Sequence, residues 1–260
     1  MRKNNGAEHN NRINIYNVNK NNGSRDYVNN TGIRINKYLS EAGVCSRREA
    51  DRVIENGEVT INGTPAECGS KVMPEDIVEF KGKTVSHKEE PVLLLYNKPA
   101  GVVCSTAEKD NIVDYIGYPK RIYPVGRLDK NSEGLILLTN QGDIADAILR
   151  SANNHEKEYI VKVNRQVTCE FLNGMSIGVP ILDTVTKPCK IRKISDRTFS
   201  IIITQGLNRQ IRRMCEYFDY RVVALKRIRI MDIRLGNLKS GQYIEMGRKE
   251  IEALRKRLEK

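Results

Sequence analysis

Three short stretches carry residue types that could attack a carbon or move a proton. They are GRLDKNSEGLILLT (126–139), HEKEYIVKV (155–163) and QGLNRQIRRMCEYF (205–218). In the first, Asp129 sits two residues after Arg127 and ahead of the continuous apolar run Leu135 to Leu138, which reads as a strand buried on both faces. Loops at strand ends are where reactive groups are presented. A carboxylate there can act as nucleophile or base while it is ionised, a state that a nearby guanidinium favours. Glu133 is a second carboxylate close by and a rival, and an Arg-x-Asp pair in a loop is also what an ordinary surface ion pair looks like. In the second stretch Tyr159 opens a strand pattern, where an aromatic is at home for packing alone. If the third is a helix, Ile211, Met214, Cys215 and Phe218 share one face. Arg209 and Arg213 then point the other way as solvated charge, and Arg212 lies on the border, where it can bury its stem and still reach a carboxylate.

The composition narrows what such groups could act on. The chain has 260 residues, 44 Lys and Arg against 32 Asp and Glu, and a formal charge of +12, which favours a polyanionic partner. From 205 to 260 fifteen basic residues face seven acidic ones, the pattern of a phosphate-binding surface. No apolar run approaches the length that spans a bilayer, and the N-terminus lacks the apolar core of a signal peptide. Six cysteines without a C-x-x-C and three histidines support neither a disulfide framework nor a zinc site, so free thiols in a reducing cytoplasm are expected. Neither a Gly-rich nucleotide loop, nor a nucleophile elbow, nor an H-E-x-x-H is present. No cofactor and no metal are therefore expected, and chemistry would rest on side chains alone.

Those side chains need elements to hold them. Residues 1–32 hold eleven asparagines and few large apolar groups, and are expected to form a disordered, mildly basic extension. Residues 33–80 read as a small module. Ile35, Leu39 and Ala42 form one helical face ending at Gly43, and Ser46-Arg47-Arg48-Glu49 is a capping-box pattern opening a second helix that stops at Gly57. VTINGT then offers an Asn-Gly hairpin, and IVEF a closing strand. Arg48 and Arg52 lie one turn apart on the outer face of the second helix, but six basic against nine acidic residues give the module no basic excess. The polar stretch 81–90 reads as a linker. After it, VLLLYNKPAG, YIVKV, FSIIIT and RIRIMDIRL (227–235) read as strands with helical segments between them, giving an α+β domain over 91–260.

RINKYLSEAGVCSRREADRVIENGEVTINGTPAECGSKVMPEDIVEF resembles the RNA-binding domain first seen in small-subunit ribosomal protein four. That resemblance implies that Arg34, Lys37, Arg47, Arg48 and Arg52 are presented to structured RNA. GRLDKNSEGLILLT, KEY (157–159) and GLNRQIRRM resemble the three ordered motifs of pseudouridine synthases of the RsuA type. The resemblance implies that Asp129 is the catalytic aspartate and Tyr159 the active-site tyrosine, with Leu207 lining the site and Arg212 pairing with the aspartate. It implies an α+β mixed-sheet catalytic domain working without cofactor. HEKEYIVKV, GVPILDTVTKPCK and QGLNRQIRRMCE, with Arg209 where many relatives have histidine, resemble most the F branch acting on large-subunit rRNA. That branch implies a uridine of 23S rRNA as target, with an anticodon-loop uridine of tyrosine tRNA as a second one, in a cytoplasmic enzyme with no membrane partner and taken here as a monomer.

Moving uracil from an N1 to a C5 attachment requires breaking a glycosidic bond, turning the base and closing a carbon–carbon bond. Asp129 could attack the sugar C1′ or remove a C2′ proton to give a glycal, and the residues leave both open. Tyr159 could stack on the detached base and help remove its C5 proton. Arg127 is placed to fill the gap left by a flipped-out uridine, and Arg209 and Arg213 to hold phosphates. The same module and basic surface would also suit a non-catalytic RNA-binding or ribosome-assembly protein, but that role does not require Asp129, Tyr159 and Arg212 to occur in motif order. An RNA methyltransferase is disfavoured because a Gly-rich nucleotide loop is missing.

Overall fold

The structure, a computed structural model, describes residues 32–86, 90–106, 108–150 and 153–259. The expected Asn-rich extension, Gly32 apart, lies outside the described residues, as do positions 87–89 within the expected linker.

In the N-terminal module β1 (Ile33–Arg34) runs into α1 (Ile35–Glu41), followed by α2 (Arg47–Glu55), β2 (Val59–Ile61), β3 (Thr64–Pro65), β4 (Lys71–Val72), β5 (Val78–Phe80) and β6 (Lys83–Thr84). The Ser46 side chain accepts from the Glu49 amide, satisfying a donor that α2 would otherwise leave open at its start. Asn62 and Gly63 both have positive φ, 52° and 78°, as a two-residue hairpin turn of the right twist demands. Ile35, Leu39, Ala50, Val53, Ile54 and Val59 close the module's own core. The expected linker needs correction. Lys81 and Gly82 repeat the positive-φ turn, so β6 pairs with β5, and Tyr38 donates to the carbonyl of Val85. A polar, charged composition concealed a Lys-Gly hairpin, and the module's sheet extends into the stretch read as linker.

The larger domain follows as β7 (Leu93–Lys98), α3 (Ile112–Ile116), β8 (Tyr123–Val125), β9 (Glu133–Thr139), α4 (Gly142–Leu149), β10 (Lys157–Val163), α5 (Cys169–Ser176), β11 (Pro180–Ile181), β12 (Thr184–Val185), β13 (Lys190–Ser195), β14 (Thr198–Ile203), α6 (Gln210–Tyr217), β15 (Val222–Ile230), β16 (Ile233–Arg234), β17 (Tyr243–Glu245) and α7 (Arg248–Leu258). Nine of these strands form one mixed sheet in the order β13-β14-β10-β15-β9-β7-β17, with β8 beside β9 and β16 beside β15. Val161, Phe199 and Met214 belong to one core cluster, and Leu135, Leu137, Ile144, Ile148, Ile251 and Leu254 to a second. Apolar side chains therefore cover both faces of the sheet, which is why the Leu135–Leu138 run is continuous rather than alternating. The stretch expected as one strand over 227–235 instead belongs to a longer strand starting at Val222. It folds back at Met231, whose φ is 54°, into β16.

One junction in this sheet differs from the rest. β9 and β15 are parallel and meet at Lys226 with Glu133 and at Arg227 with Gly134. Gly134 has φ of 102°, and a Cβ there would stand 2.2 Å from the carbonyl oxygen of Arg227. Only glycine permits the two backbones to approach so closely. The module touches the larger domain where Arg121 donates to the backbone and hydroxyl of Ser40 at 3.3 Å and lies over the ring of Tyr123.

Candidate active site

The loop before β9 is fixed from several sides. The Ser132 amide donates to the Asp129 carbonyl at 2.9 Å, and the Leu128 amide to the Cys104 sulfur at 3.4 Å. Lys98, at the end of β7 and fully buried, donates to the carbonyls of Pro99 and Val102 at 2.8 Å and of Lys130 at 3.2 Å. An ammonium has three donors, and here each has a backbone acceptor. Burial is the main influence on this lysine and depresses its pKa, with Cys104, Glu133 and Asp129 acting in the opposite direction. The result is a rigid support under the segment that carries Asp129.

Helix α6 supplies the facing group. Ile211, Met214 and Cys215 are buried as the helical projection requires, and Phe218 packs edge-on against Phe171. Arg212 lies at 9 % exposure, with its Nη2 donating to the Asn131 carbonyl and Ser132 hydroxyl at 3.2 Å and its Nη1 to the Val222 carbonyl. Its Nε stands 3.4 Å from Oδ2 of Asp129. Arg209 departs from expectation. It precedes the helix, in the left-handed region at φ 50°, so a helical projection does not apply, and it lies exposed on the cleft lining instead of on an outer helix face. Arg213 is half-buried and tied to Asn208 through its carbonyl and side chain. Gln210 accepts from the Leu207 amide at 3.0 Å, which holds Leu207 at the edge of the site.

From the sheet, β10 brings Tyr159, 7 % exposed, onto the same cleft. Arg227, paired with it across β15, donates from Nη1 to the tyrosine hydroxyl at 3.4 Å and from Nε to the Leu135 carbonyl at 2.6 Å. Lys157 also reaches the cleft. Burial first, and the charge of Arg227 second, push its ammonium below the usual pKa. The cleft encloses about 450 Å³, within the size range of small-molecule sites, and is lined by Arg127, Asp129, Lys157, Tyr159, Leu207, Arg209 and Arg227 among others. Asp129 is the single carboxylate in that lining among the described residues. Glu133 is absent from it.

The structure thus brings Asp129, Tyr159, Arg212, Leu207, Arg127 and Arg209 together, and leaves the module's basic residues elsewhere. Arg34, Arg47, Arg48 and Arg52 are exposed, with Arg52 paired to Glu49 at 3.2 Å, and Lys37 is half-exposed and paired to Glu41 at 3.6 Å. Arg47 also lies beside Gly142 of the larger domain. Lys98, Lys157 and Arg227 were missed from sequence. Lysine after a buried run and arginine in an alternating strand both resemble routine surface charge, and a basic residue adjoining an unbroken apolar run, as at Lys98, was the one signal available.

Comparison with known proteins identifies the family. An RNA pseudouridylate synthase family model matches residues 92–217, and an S4 domain model matches residues 33–78. The chain is 51 % identical over 233 residues to a dual-specificity RNA pseudouridine synthase RluF of Salmonella typhi, covering 88 % of this chain and 81 % of that one. It is 37 % identical over 234 residues to ribosomal large subunit pseudouridine synthase B of Bacillus subtilis, covering 85 % and 95 %. A crystal structure of a pseudouridylate synthase superposes with a TM-score of 0.63 at 29 % identity, covering 85 % of this chain and 99 % of that one. With identity of this degree running through both the module and the sheet that holds the cleft, the chain belongs to the RNA pseudouridine synthase family.

Proposed function

We propose that this synthase isomerises a specific uridine of 23S ribosomal RNA, and an anticodon-loop uridine of tyrosine tRNA, with Asp129 initiating glycosidic cleavage. The observation that carries the catalytic assignment is that Asp129 and Tyr159 line one basic cleft while Arg212, from a third segment of the chain, stands 3.4 Å behind the aspartate. The target rests on the resemblance of HEKEYIVKV and GVPILDTVTKPCK to the F branch, supported by one similar protein named as dual-specificity and one named for the ribosomal large subunit.

A uridine enters such a cleft only when flipped from its stack, and exposed Arg127 stands at the rim where it can take the vacated place. Asp129 either bonds to C1′ as the C1′–N1 bond breaks or takes the C2′ proton. Tyr159 gives the detached base a face to stack on and a group to assist loss of the C5 proton. Arg212 orients the Asp129 loop through its backbone contacts. Arg209 at the rim and the exposed arginines of the module hold phosphates.

The test compares Asp129→Asn with Glu133→Gln. The first keeps size and polarity but removes the negative charge, and is expected to abolish tritium release from C5-labelled uridine in rRNA fragments while filter binding of those fragments changes little. Glu133→Gln is expected to release tritium normally. Equal damage from both, or substantial release by Asp129→Asn, shows that another group initiates the reaction. Pseudouridine mapping in ribosomal and transfer RNA, with and without the gene, identifies the target.

A further inference from the structure

We propose that Arg227 and Lys157 form the subsite for the carbonyl edge of the uracil ring, and stabilise the base as the anion it becomes when the C1′–N1 bond breaks. The inference rests on the reading of this cleft as the uridine site and adds two cationic groups to the lining that Asp129 shares.

Arg227 is 3 % exposed, yet it lines the cleft. Its Nε and Nη1 have partners in Leu135 and Tyr159, but its Nη2 is buried without one. A guanidinium donor taken out of water and left unpaired is costly, and such a group in a native site calls for an acceptor that arrives later. Lys157, two residues before Tyr159 on the same strand, has only a long 3.4 Å contact to the His155 carbonyl. Its depressed pKa reflects burial and the neighbouring Arg227. A buried and a half-buried like charge thus lie near enough to influence each other, an arrangement that an anion relieves.

The anion that fits is the base rather than the backbone. Phosphates of a flipped nucleotide stay at the mouth, where exposed Arg209 meets them. Arg227 lies against the Tyr159 ring, with its guanidinium carbon 5.9 Å from the ring centre. It therefore borders whatever stacks on that ring. In the nucleophilic route an Asp129 oxygen bonds to C1′, and the C1′–N1 electron pair leaves with the base. In the elimination route Asp129 takes the C2′ proton, the C2′–H pair becomes the C1′–C2′ double bond, and the same C1′–N1 pair leaves with the base. Either way the charge spreads over N1 and the two carbonyl oxygens. After rotation C5 supplies the pair that bonds to C1′. Asp129 leaves C1′, or C2′ regains its proton. The C5 proton departs and N1 gains one, so the net change is an isomerisation. Fixed donors at the oxygens that acquire charge lower the barrier to the first break.

The test uses a better leaving group. The full-length protein carries Lys157→Met or Arg227→Lys, the second retaining charge so that contact with the β9 backbone is not simply lost. Single-turnover loss of the C1′–N1 linkage at saturating enzyme is followed on rRNA fragments containing uridine or 5-fluorouridine, whose base is the stronger acid and which, having no C5 proton to lose, reports the first bond cleavage alone. Removing one such donor is expected to slow the uridine substrate roughly 30-fold or more, and the fluorinated one only about threefold, with filter-binding affinity nearly unchanged. Equal slowing on both substrates overturns the subsite, as does weakened binding with an unchanged saturating rate, which would mark a phosphate contact. Asp129→Asn run alongside separates the two readings. If it is inert while the lysine and arginine variants slow both substrates equally, only the subsite fails.

Discussion

The Nε of Arg212 stands 3.4 Å from Oδ2 of Asp129 without a hydrogen bond, while both Nη atoms of the same guanidinium are held by Asn131, Ser132 and Val222. The arginine therefore supplies charge to the aspartate and hydrogen bonds to the loop beneath it. A carboxylate clamped by two parallel N–H bonds would have to break them to reach a sugar carbon, whereas this one keeps a nearby cation and freedom to advance.

Arg212→Lys should separate those two duties. A lysine keeps a charge but lacks the fork that reaches Asn131, Ser132 and Val222 together. Loosening the loop by even an ångström is expected to lower turnover by about a hundredfold. RNA affinity should hardly change, because the side chain is buried. Single-turnover tritium release and filter binding read the two quantities, and full activity in the variant would show that charge alone suffices.

Lys98→Met should damage folding and catalysis together. It leaves the carbonyls of Pro99, Val102 and Lys130 without their donor, at a cost on the order of 3 kcal/mol in urea denaturation. Burial depresses the pKa of Lys98 below its ordinary 10.5, so the unfolded chain holds that proton to higher pH than the folded one. Wild-type stability thus gains a contribution as pH rises through the window between the depressed value and 10.5, and the variant lacks that gain. Parallel stability curves across that window would contradict this account.

Gly134→Ala tests the parallel junction. The new methyl would stand 2.2 Å from the Arg227 carbonyl oxygen, on a backbone whose φ of 102° already disfavours any side chain. A loss of about 3 kcal/mol or more, or an insoluble product, is expected. Alanine placed instead at Gly206, where a Cβ meets open space, should be tolerated in the same thermal melt.

Arg229→Met should reveal an acid-dependent contribution. Arg229 donates to Glu158 at 2.8 Å and to Glu156 at 2.9 Å, and its hydrogen bond, with that of Lys190, holds the Glu156 carboxyl below its ordinary pKa. A lowered carboxylate pKa means stability that is present above the ordinary range and lost as pH falls through the lowered folded value. With Glu156 one-third exposed, the variant should lose about 2 kcal/mol at pH 7, and the gap to wild type should narrow below pH 4.5. A gap that stays constant in acid would place the effect in packing.

What was legible in the sequence depended on whether a residue's role followed the pattern of its neighbours. Asp129 before a buried run, and Arg212 on the border of an apolar helical face, obey ordinary periodicity, so their placement followed from spacing while their roles came from resemblance. Strand β15 shows the opposite. Arginines alternating with isoleucines suggest arginines facing water, yet both are buried, Arg227 beside Tyr159 and Arg229, across a bulge, beside Glu158 on the other face of β10, because apolar cores cover both sides of the sheet. Arg209 escaped for a different reason. One left-handed residue starts the helix later than its hydrophobic pattern implies, and a projection at 100° per residue cannot register that. The Lys81-Gly82 turn escaped because its charge matched a linker's, although the dipeptide before a strand-like pair was visible.

The parallel junction also has a consequence in time. Leu135 and Arg227, joined through the arginine Nε, are 92 positions apart. At ordinary translation speeds of about 5–20 residues per second, Asp129 is made roughly 5–20 s before the strand that completes its cleft. A chain halted after Tyr217 would hold the whole segment matched by the synthase family yet lack β15, the central strand that joins β10 to β9. The cleft around Asp129 is therefore completed only once the chain enters its last sixth, where β15 lies.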